Sequence, residues 1–286
     1  MEAMIYRGPD AAGIWNDDEG VYLGHRRLSI VDIADGQQPM LTEDASLVLV
    51  FNGEIYNHRQ LRRDLESTGV VFQTDHSDTE VLLHGYRKWG RSVVDRLNGM
   101  WAFALLDRSQ GVLWLSRDRF GKKPLYYAHH HGDLYFSSEL ASLCRHPAID
   151  HEIDTRSLVA YFAHGYVPAP ASMISGIQKL PAGHNLIYSL TDCSIRLERY
   201  WRFEFAPQMD WVKRPQALSE ALIEKLYAAV NTRMRADVPV GVFLSGGIDS
   251  SSVASLAMTA SKSQNVKTYS IGFEDESFDE TGYSSD

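Results

Sequence analysis

Along the first two hundred residues, apolar positions come in short runs and alternations separated by Gly, Asp or Asn, the period-two pattern of half-buried strands. This spacing predicts strands over 21–23, 47–51, 100–106, 112–116, 125–128, 134–136 and 185–188. Two helical stretches interrupt them. One covers 57–68; the other covers 79–89, where Val81, Leu82 and Tyr86 follow helical spacing and Gly90 supplies a stop. A further helical pattern over 158–162 precedes Val167-Pro-Ala-Pro170, which reads as a surface loop. Strands with helices set outside them predict an α+β domain of stacked antiparallel sheets flanked by helices.

Beyond Trp201 the texture changes. A mixed connector runs to Pro215, and over 217–236 the residues Leu222, Leu226, Val230 and Met234 repeat every four positions, the stripe of a helix with one packing face. A strand over 240–244, a Ser/Gly turn, a helix over 250–261 and a strand over 267–272 make one βαβ unit, the start of an α/β domain with a parallel sheet. The expected domains are therefore 1–201 and 217–286.

Composition narrows the function classes. A chain of 286 residues with 44% hydrophobic content can bury two sizeable cores, and a net charge of −9 argues against a nucleic-acid surface. No Lys/Arg cluster overrides that charge: Arg62-Arg63 and Lys122-Lys123 are only pairs. Cys144 and Cys193 have neither metal-ligand spacing nor the density of a disulfide framework, so reduced thiols in a cytoplasmic protein are expected. With no signal peptide and no apolar run near about 18 residues, no membrane partner is expected.

The chemistry concentrates first in Val238-Pro-Val-Gly-Val-Phe-Leu-Ser-Gly-Gly-Ile-Asp-Ser-Ser251. An apolar strand runs into small residues, Ser245, Gly246 and Gly247, whose backbone N–H groups can close on phosphate oxygens, and the following helix points its positive end at the same anion. Ser245, Ser250 and Ser251 add hydroxyl donors. No Lys follows the glycines, so this is not the loop that holds the β and γ phosphates of P-loop enzymes. Asp249 would sit near a Mg²⁺ bridging the phosphates, because Mg²⁺ takes one or two carboxylates and fills its shell with phosphate and water.

Upstream, in order, stand Arg7-Gly-Pro-Asp10, Gly24-His-Arg-Arg-Leu-Ser-Ile-Val-Asp32, Gln38-Pro-Met40, Phe51-Asn-Gly-Glu-Ile-Tyr-Asn57, Ser77-Asp-Thr-Glu80, Asn98-Gly-Met100, Arg117-Asp-Arg-Phe-Gly-Lys-Lys-Pro-Leu-Tyr-Tyr127, Ser138-Glu139 and Leu180-Pro-Ala-Gly183. Together with the SGGIDSS turn, this series resembles glutamine-dependent asparagine synthetases over nearly the whole chain. The resemblance implies an N-terminal-nucleophile hydrolase fold followed by an ATP pyrophosphatase domain. It also implies that glutamine yields ammonia through a thioester, that ATP with Mg²⁺ activates aspartate as an acyl-adenylate, and that ammonia passes internally between the two sites.

Residue by residue, Arg27 matches the family's carboxylate-binding Arg, with the planar fork suited to that contact, and Asp78 the acid that receives the α-ammonium. Asn52 and the Gly53 N–H match the oxyanion donors, Glu54 a further glutamine contact, and Leu28, Ser29, Ile30 and Val31 the rest of the glutamine site. In the second domain Leu244 and Ile271 match adenosine contacts, beside Ser245, Gly246, Gly247, Asp249, Ser250 and Ser251 around the phosphates. Structural readings stand beside these. Arg26-Arg27 could be a solvated pair, Asp78 a helix N-cap and Asn52-Gly53 a hairpin turn. His25 and His129-His130-His131 match no catalytic role and read as surface or packing residues.

The series also departs from the family. The nucleophilic cysteine belongs immediately after the initiator Met, but residue 2 is Glu2 and the first cysteine is Cys144. Only six residues precede Arg7, with Tyr6 in place of the usual His, and the synthetase domain should continue beyond Asp286. The expectation is a fragment cut at both ends and inactive alone. Two alternatives stay open: a related amidotransferase acting on a sugar or other carboxylate, and a non-catalytic glutamine-binding fragment. The family resemblance also leaves a homodimer open.

Overall fold

The computed structural model describes residues 1–18, 20–207, 214–261, 265–275 and 281–284, and the chain falls into two compact units, Met1–Phe203 and Glu204–Asp286. In the first unit the strands are β1 (Ala11–Asn16), β2 (Tyr22–Arg27), β3 (Met40–Leu41), β4 (Leu47–Ile55), β5 (Gly99–Asp107), β6 (Val112–Arg117), β7 (Tyr126–His130), β8 (Asp133–Ser137), β9 (Gln178–Lys179), β10 (His184–Ser189) and β11 (Ile195–Arg199). The helices are α1 (His58–Glu66), α2 (Asp78–Trp89), α3 (Val93–Arg96), α4 (Leu140–Leu143) and α5 (Thr155–His164).

A six-stranded antiparallel sheet in the order β11-β10-β6-β5-β4-β3 forms the middle of this unit. Its central strands are apolar almost throughout because both faces are covered, and strand side chains alternate between faces. On β4, Leu47, Leu49 and Phe51 join a core with Leu61 and Leu65 of α1, Leu82 and Tyr86 of α2 and Val93 of α3. Val48 and Val50 face the other way, into a second core with Leu23 of β2, Tyr127 of β7 and Leu125. The same split holds on β5, where Phe103 and Leu105 meet the helices while Ala102, Ala104 and Leu106 meet the second layer.

That second layer comprises the hairpin β1-β2 and the sheet β8-β7-β9. Behind it, Leu143 of α4 packs with Ala128, Ile149 and Ile177. The architecture is thus two stacked layers of antiparallel sheet with helices outside, as the alternation predicts. Each fully buried large side chain contributes on the order of 1.5–3 kcal/mol, so the two cores dominate the stability of the unit.

All seven expected strands form. Missing from the expectation are β1, whose side chains are only partly covered, the two-residue strands β3 and β9, and β11, which carries Arg196, Glu198 and Arg199 at the sheet edge. The 158–162 pattern belongs to the longer α5, which is capped at its start by Asp154, whose carboxylate accepts from the Arg156 N–H, and at its end by Gly165 with φ +76°.

The second unit contains α6 (Pro215–Arg233), β12 (Gly241–Phe243), α7 (Ile248–Ala260), β13 (Lys267–Tyr269) and α8 (Thr281–Ser284). β12 and β13 pair in parallel, Gly241 opposite Lys267 and Phe243 opposite Tyr269. Of the predicted stripe on α6, Val230 is buried, Leu226 and Met234 are half-buried and Leu222 is exposed. Helix α7 begins two residues earlier than expected, at Ile248. No described helix is long and apolar enough to cross a membrane.

Candidate functional site

The first unit carries a cleft of about 590 Å³ lined by Arg27, Leu28, Ile30, Val31, Asn52, Gly53, Glu54 and Asp78, among others. These residues come from the end of β2, the loop after it, β4 and the first turn of α2. Ser29 stands outside the lining, its N–H donating to the Asp10 carboxylate at 2.8 Å.

Arg27 is 6% exposed. The loop after β2 wraps its guanidinium, which donates to the carbonyls of Val31 at 3.1 Å, Asp32 at 2.6 Å and Ile33 at 3.1 Å. Gly36 completes the wrap, because a Cβ there would lie 2.4 Å from Arg27 Nη2. These bonds use three of the five guanidinium N–H groups, both on Nη2 and one on Nη1. Burial pulls the Arg27 pKa down, while Asp32 and Asp78 oppose the shift. Arg26 is half-buried and also borders the cleft, its Nε donating to Gly8 O at 2.9 Å. The solvated-pair reading therefore fails.

Asp78 is also 6% exposed. It is the first residue of α2, with Ser77 as the cap residue, so Asp78 is not the N-cap. Its Oδ2 accepts from the Ile55 N–H at 2.9 Å. Burial pushes its pKa up to about 6, against the opposing hydrogen bonds from Ile55 and Thr79. A buried carboxyl poised in this way favours a cationic partner.

Asn52 and Gly53 lie inside β4, so the hairpin reading also fails. Asn52 Nδ2 donates to Ser138 Oγ at 3.3 Å. Gly53 has no room for a side chain: a Cβ would sit 2.3 Å from Met100 O.

The cleft lining also includes His25, which by sequence reads as a surface or packing residue, and Gln38 and Lys123, to which sequence alone assigns no role. Burial lowers the His25 pKa to about 4, so the ring is neutral near pH 7 and Nε2–H donates to Phe51 O at 3.0 Å. Lys123 is held by the turn that follows β6. There the buried Asp118 carboxylate accepts from the N–H groups of Phe120, Lys122 and Lys123 at 3.0, 3.1 and 3.0 Å. Arg117 closes the turn with bonds to Gly121 O and Lys123 O, both at 2.8 Å. Burial lowers the Lys123 pKa, Arg7 adds to this, and Glu54 and Asp118 oppose it. The signal for Lys123 was present in the RDRFGKKP motif; its direction was not.

Neither cysteine lines the cleft. Cys144 is half-buried against the core beside α4, and Cys193 is exposed in the β10-β11 connection. His129 donates through Nε2 to Cys193 O at 2.9 Å, on the outer surface.

In the second unit the Ser245-Gly246-Gly247 turn joins β12 to α7, with Gly246 at φ +78°, a conformation that favours glycine. Gly247 is the cap residue of α7 and supplies no side-chain cap, so the first N–H groups of the helix stay open to an anion. Ser245 Oγ and Ser250 Oγ are 3.1 Å apart beside them. Asp249 is exposed in the first helical turn, and Ser251 N–H bonds back to Gly247 O at 3.0 Å. Leu244 and Ile271 follow the carboxyl ends of the two parallel strands; Leu244 N–H donates to Tyr269 O at 2.9 Å, and Ile271 is exposed. This is the end of a parallel sheet where α/β folds place ligands.

Known families align with these two features. The chain belongs to the glutamine amidotransferase family, whose domain description matches residues 1–201. More particularly, residues 221–286 match the asparagine synthase family. The chain is 40% identical over 279 residues to asparagine synthetase [glutamine-hydrolyzing] 1 of Bacillus subtilis, covering 98% of this chain and 43% of that protein. It is 39% identical over 303 residues to a putative asparagine synthetase [glutamine-hydrolyzing] 2 of Methanocaldococcus jannaschii, covering 99% of this chain and 57% of that protein. The chain therefore spans about half the length of the curated relatives it matches. Among solved structures, the glutamine phosphoribosylpyrophosphate amidotransferase of Bacillus subtilis covers 90% of this chain, with 53% of its own chain, at 20% identity and a TM-score of 0.43.

Proposed function

We propose that the first unit binds L-glutamine and that the whole protein is a glutamine-hydrolysing asparagine synthetase. The proposed division is a glutamine amidotransferase domain over 1–201 and the first part of a synthetase domain over 217–286. In the cleft, Arg27 takes the α-carboxylate through its remaining N–H groups, Asp78 takes the α-ammonium, and the Gly53 N–H with the Asn52 amide takes the carboxamide oxygen. Glu54 adds a contact at the wall. One observation carries this reading: a buried guanidinium, a buried carboxylate and a glycine on a strand edge, from three elements, converge on one cleft.

For the second unit the proposed ligand is ATP with Mg²⁺. The residues fit such an anion: Ser245, Gly246 and Gly247 form the cradle, α7 supplies uncapped N–H groups, Ser250 and Ser251 add hydroxyls, and Asp249 supplies a carboxylate for the metal. Leu244 and Ile271 would flank the adenosine. When bound, the nucleotide supplies the leaving group that activates a carboxylate, in this reading that of aspartate. The chain's free cysteines fit a cytoplasmic protein.

Titration calorimetry of the chain with L-glutamine tests the first half. Binding is expected, and Arg27→Ala should weaken it by about 10- to 100-fold, the loss of charge-assisted hydrogen bonds. No heat with wild type, or equal affinity for Arg27→Ala, would overturn the assignment.

A further inference from the structure

The oxyanion role proposed for Gly53 requires a backbone N–H left open in the middle of a sheet, and the structure shows how one arises. Strand β4 pairs with β5 along its whole length, from Leu47 opposite Asp107 to Ile55 opposite Gly99. On its other edge β3 covers only Val48 and Leu49. In an antiparallel ladder, alternate residues direct their N–H and C=O groups to opposite edges. Trp101, opposite Gly53, turns toward β6: its carbonyl accepts from Asp118 N at 2.9 Å and its N–H meets the Asp118 carboxylate at 3.3 Å. Phe51, Gly53 and Ile55 therefore all address the edge that β3 leaves uncovered.

Side chains cap two of these three. Phe51 N–H donates to Gln38 Oε1 at 2.6 Å, and Phe51 O accepts from Gln38 Nε2 and His25 Nε2, both at 3.0 Å. Ile55 N–H donates to Asp78 Oδ2 at 2.9 Å, and Ile55 O meets His58 Nδ1 at 2.7 Å. Gly53, between them, opens on the cleft. Toward β4 the carboxamide of Gln38 presents one acceptor and one donor, as a backbone amide would, and its second Nε2 hydrogen is directed to Thr79 Oγ1 at 3.4 Å, beside Asp78 on α2.

We propose that Gln38 is a positioning residue: its carboxamide replaces one step of a missing strand, pins the peptide planes of β4 ahead of Asn52, and so holds the Gly53 N–H open toward the ligand. The inference rests on the glutamine reading for the ligand, but the edge geometry can be tested without one. Amide hydrogen exchange of the ligand-free chain, followed by NMR, should show Phe51 and Ile55 slow and Gly53 at least about tenfold faster than either. Gln38→Met, which keeps the volume but removes both hydrogen bonds, should speed Phe51 exchange at least about tenfold and leave Ile55 slow. Gln38→Glu keeps an oxygen for the Phe51 N–H and should restore its protection, which a role in packing alone does not predict.

Adding L-glutamine to wild type should shift the Gly53 amide resonance, and Gln38→Met should reduce that shift at saturation while Arg27 and Asp78 still anchor the ligand. Gly53 exchanging as slowly as its neighbours, or Phe51 unchanged in Gln38→Met, would overturn the proposal. Failure of L-glutamine to move any cleft resonance in wild type would instead overturn the glutamine reading, with the exchange pattern still deciding the role of Gln38.

Discussion

Arg26 and Arg27 are neighbours of identical chemistry that both border the cleft but differ in what holds them. Arg26 is half-buried and gives its Nε to Gly8 O; Arg27 is buried in a ring of carbonyls. Asp78 shows what burial adds. Its folded pKa is near 6, whereas an unfolded Asp titrates near about 3.9. Between these values the native state holds more protons than the unfolded state, so its contribution to stability is full below about pH 4 and declines as pH rises through 6. Asp78→Asn should remove that component, and urea unfolding of both chains at pH 4.5 and 7 should show a shallower decline for the variant. An identical decline would exclude Asp78 as the source. The same ionisation should make glutamine affinity of the wild type fall as pH drops below about 6, since only the carboxylate attracts an α-ammonium. Calorimetry across that range reads it directly.

At the scale of elements, β4 combines structural and ligand-facing roles. Its odd residues from Leu47 to Phe51 face α1 and α2, its even ones face the second sheet, and beyond Phe51 its backbone becomes part of the site. Gly53→Ala should therefore act on both. The added methyl would meet Met100 O and the Phe51 ring, costing about 1–3 kcal/mol of stability and displacing the N–H from the ligand. Denaturant unfolding and glutamine titration of the same protein measure the two effects; unchanged stability would mean that β4 and β5 separate there without cost. Asn52-Gly53 was legible as a special dipeptide but read equally well as a turn, because the tolerance of Asn and Gly for tight turns is a local property and their place in a nine-residue strand is not. The short strands β3 and β9 left no readable periodicity, since two residues carry no period.

At the scale of the whole molecule the two units differ in how much they bury. Met1–Phe203 holds all three buried hydrophobic clusters. In the second unit, among the described residues, only Val230 and Ala257 are buried hydrophobics, while Ile248 is 87% and Phe243 77% exposed. A two-stranded parallel sheet with such exposure has little to hold it. Brief digestion at low protease concentration should cut first within 204–286 and leave a resistant product ending near residue 203, identified by mass spectrometry. Equal resistance of both units would show that the second is held by contacts its burial does not reveal.

The sequence by itself determined the alternation that builds the stacked sheets, the helices that cover them and the Ser/Gly turn between β12 and α7, which are properties of local spacing and residue type. Arg27, Asn52, Gly53 and Asp78 stood out as candidates through the family resemblance. Only the tertiary structure decided that Arg27, Gly53 and Asp78 share a cleft, that Ser29 does not, and that His25, Gln38 and Lys123 do. It also decided the raised pKa of Asp78 and the open edge at Gly53. The reason is physical: burial, desolvation and the satisfaction of a backbone amide depend on groups brought together from distant parts of the chain.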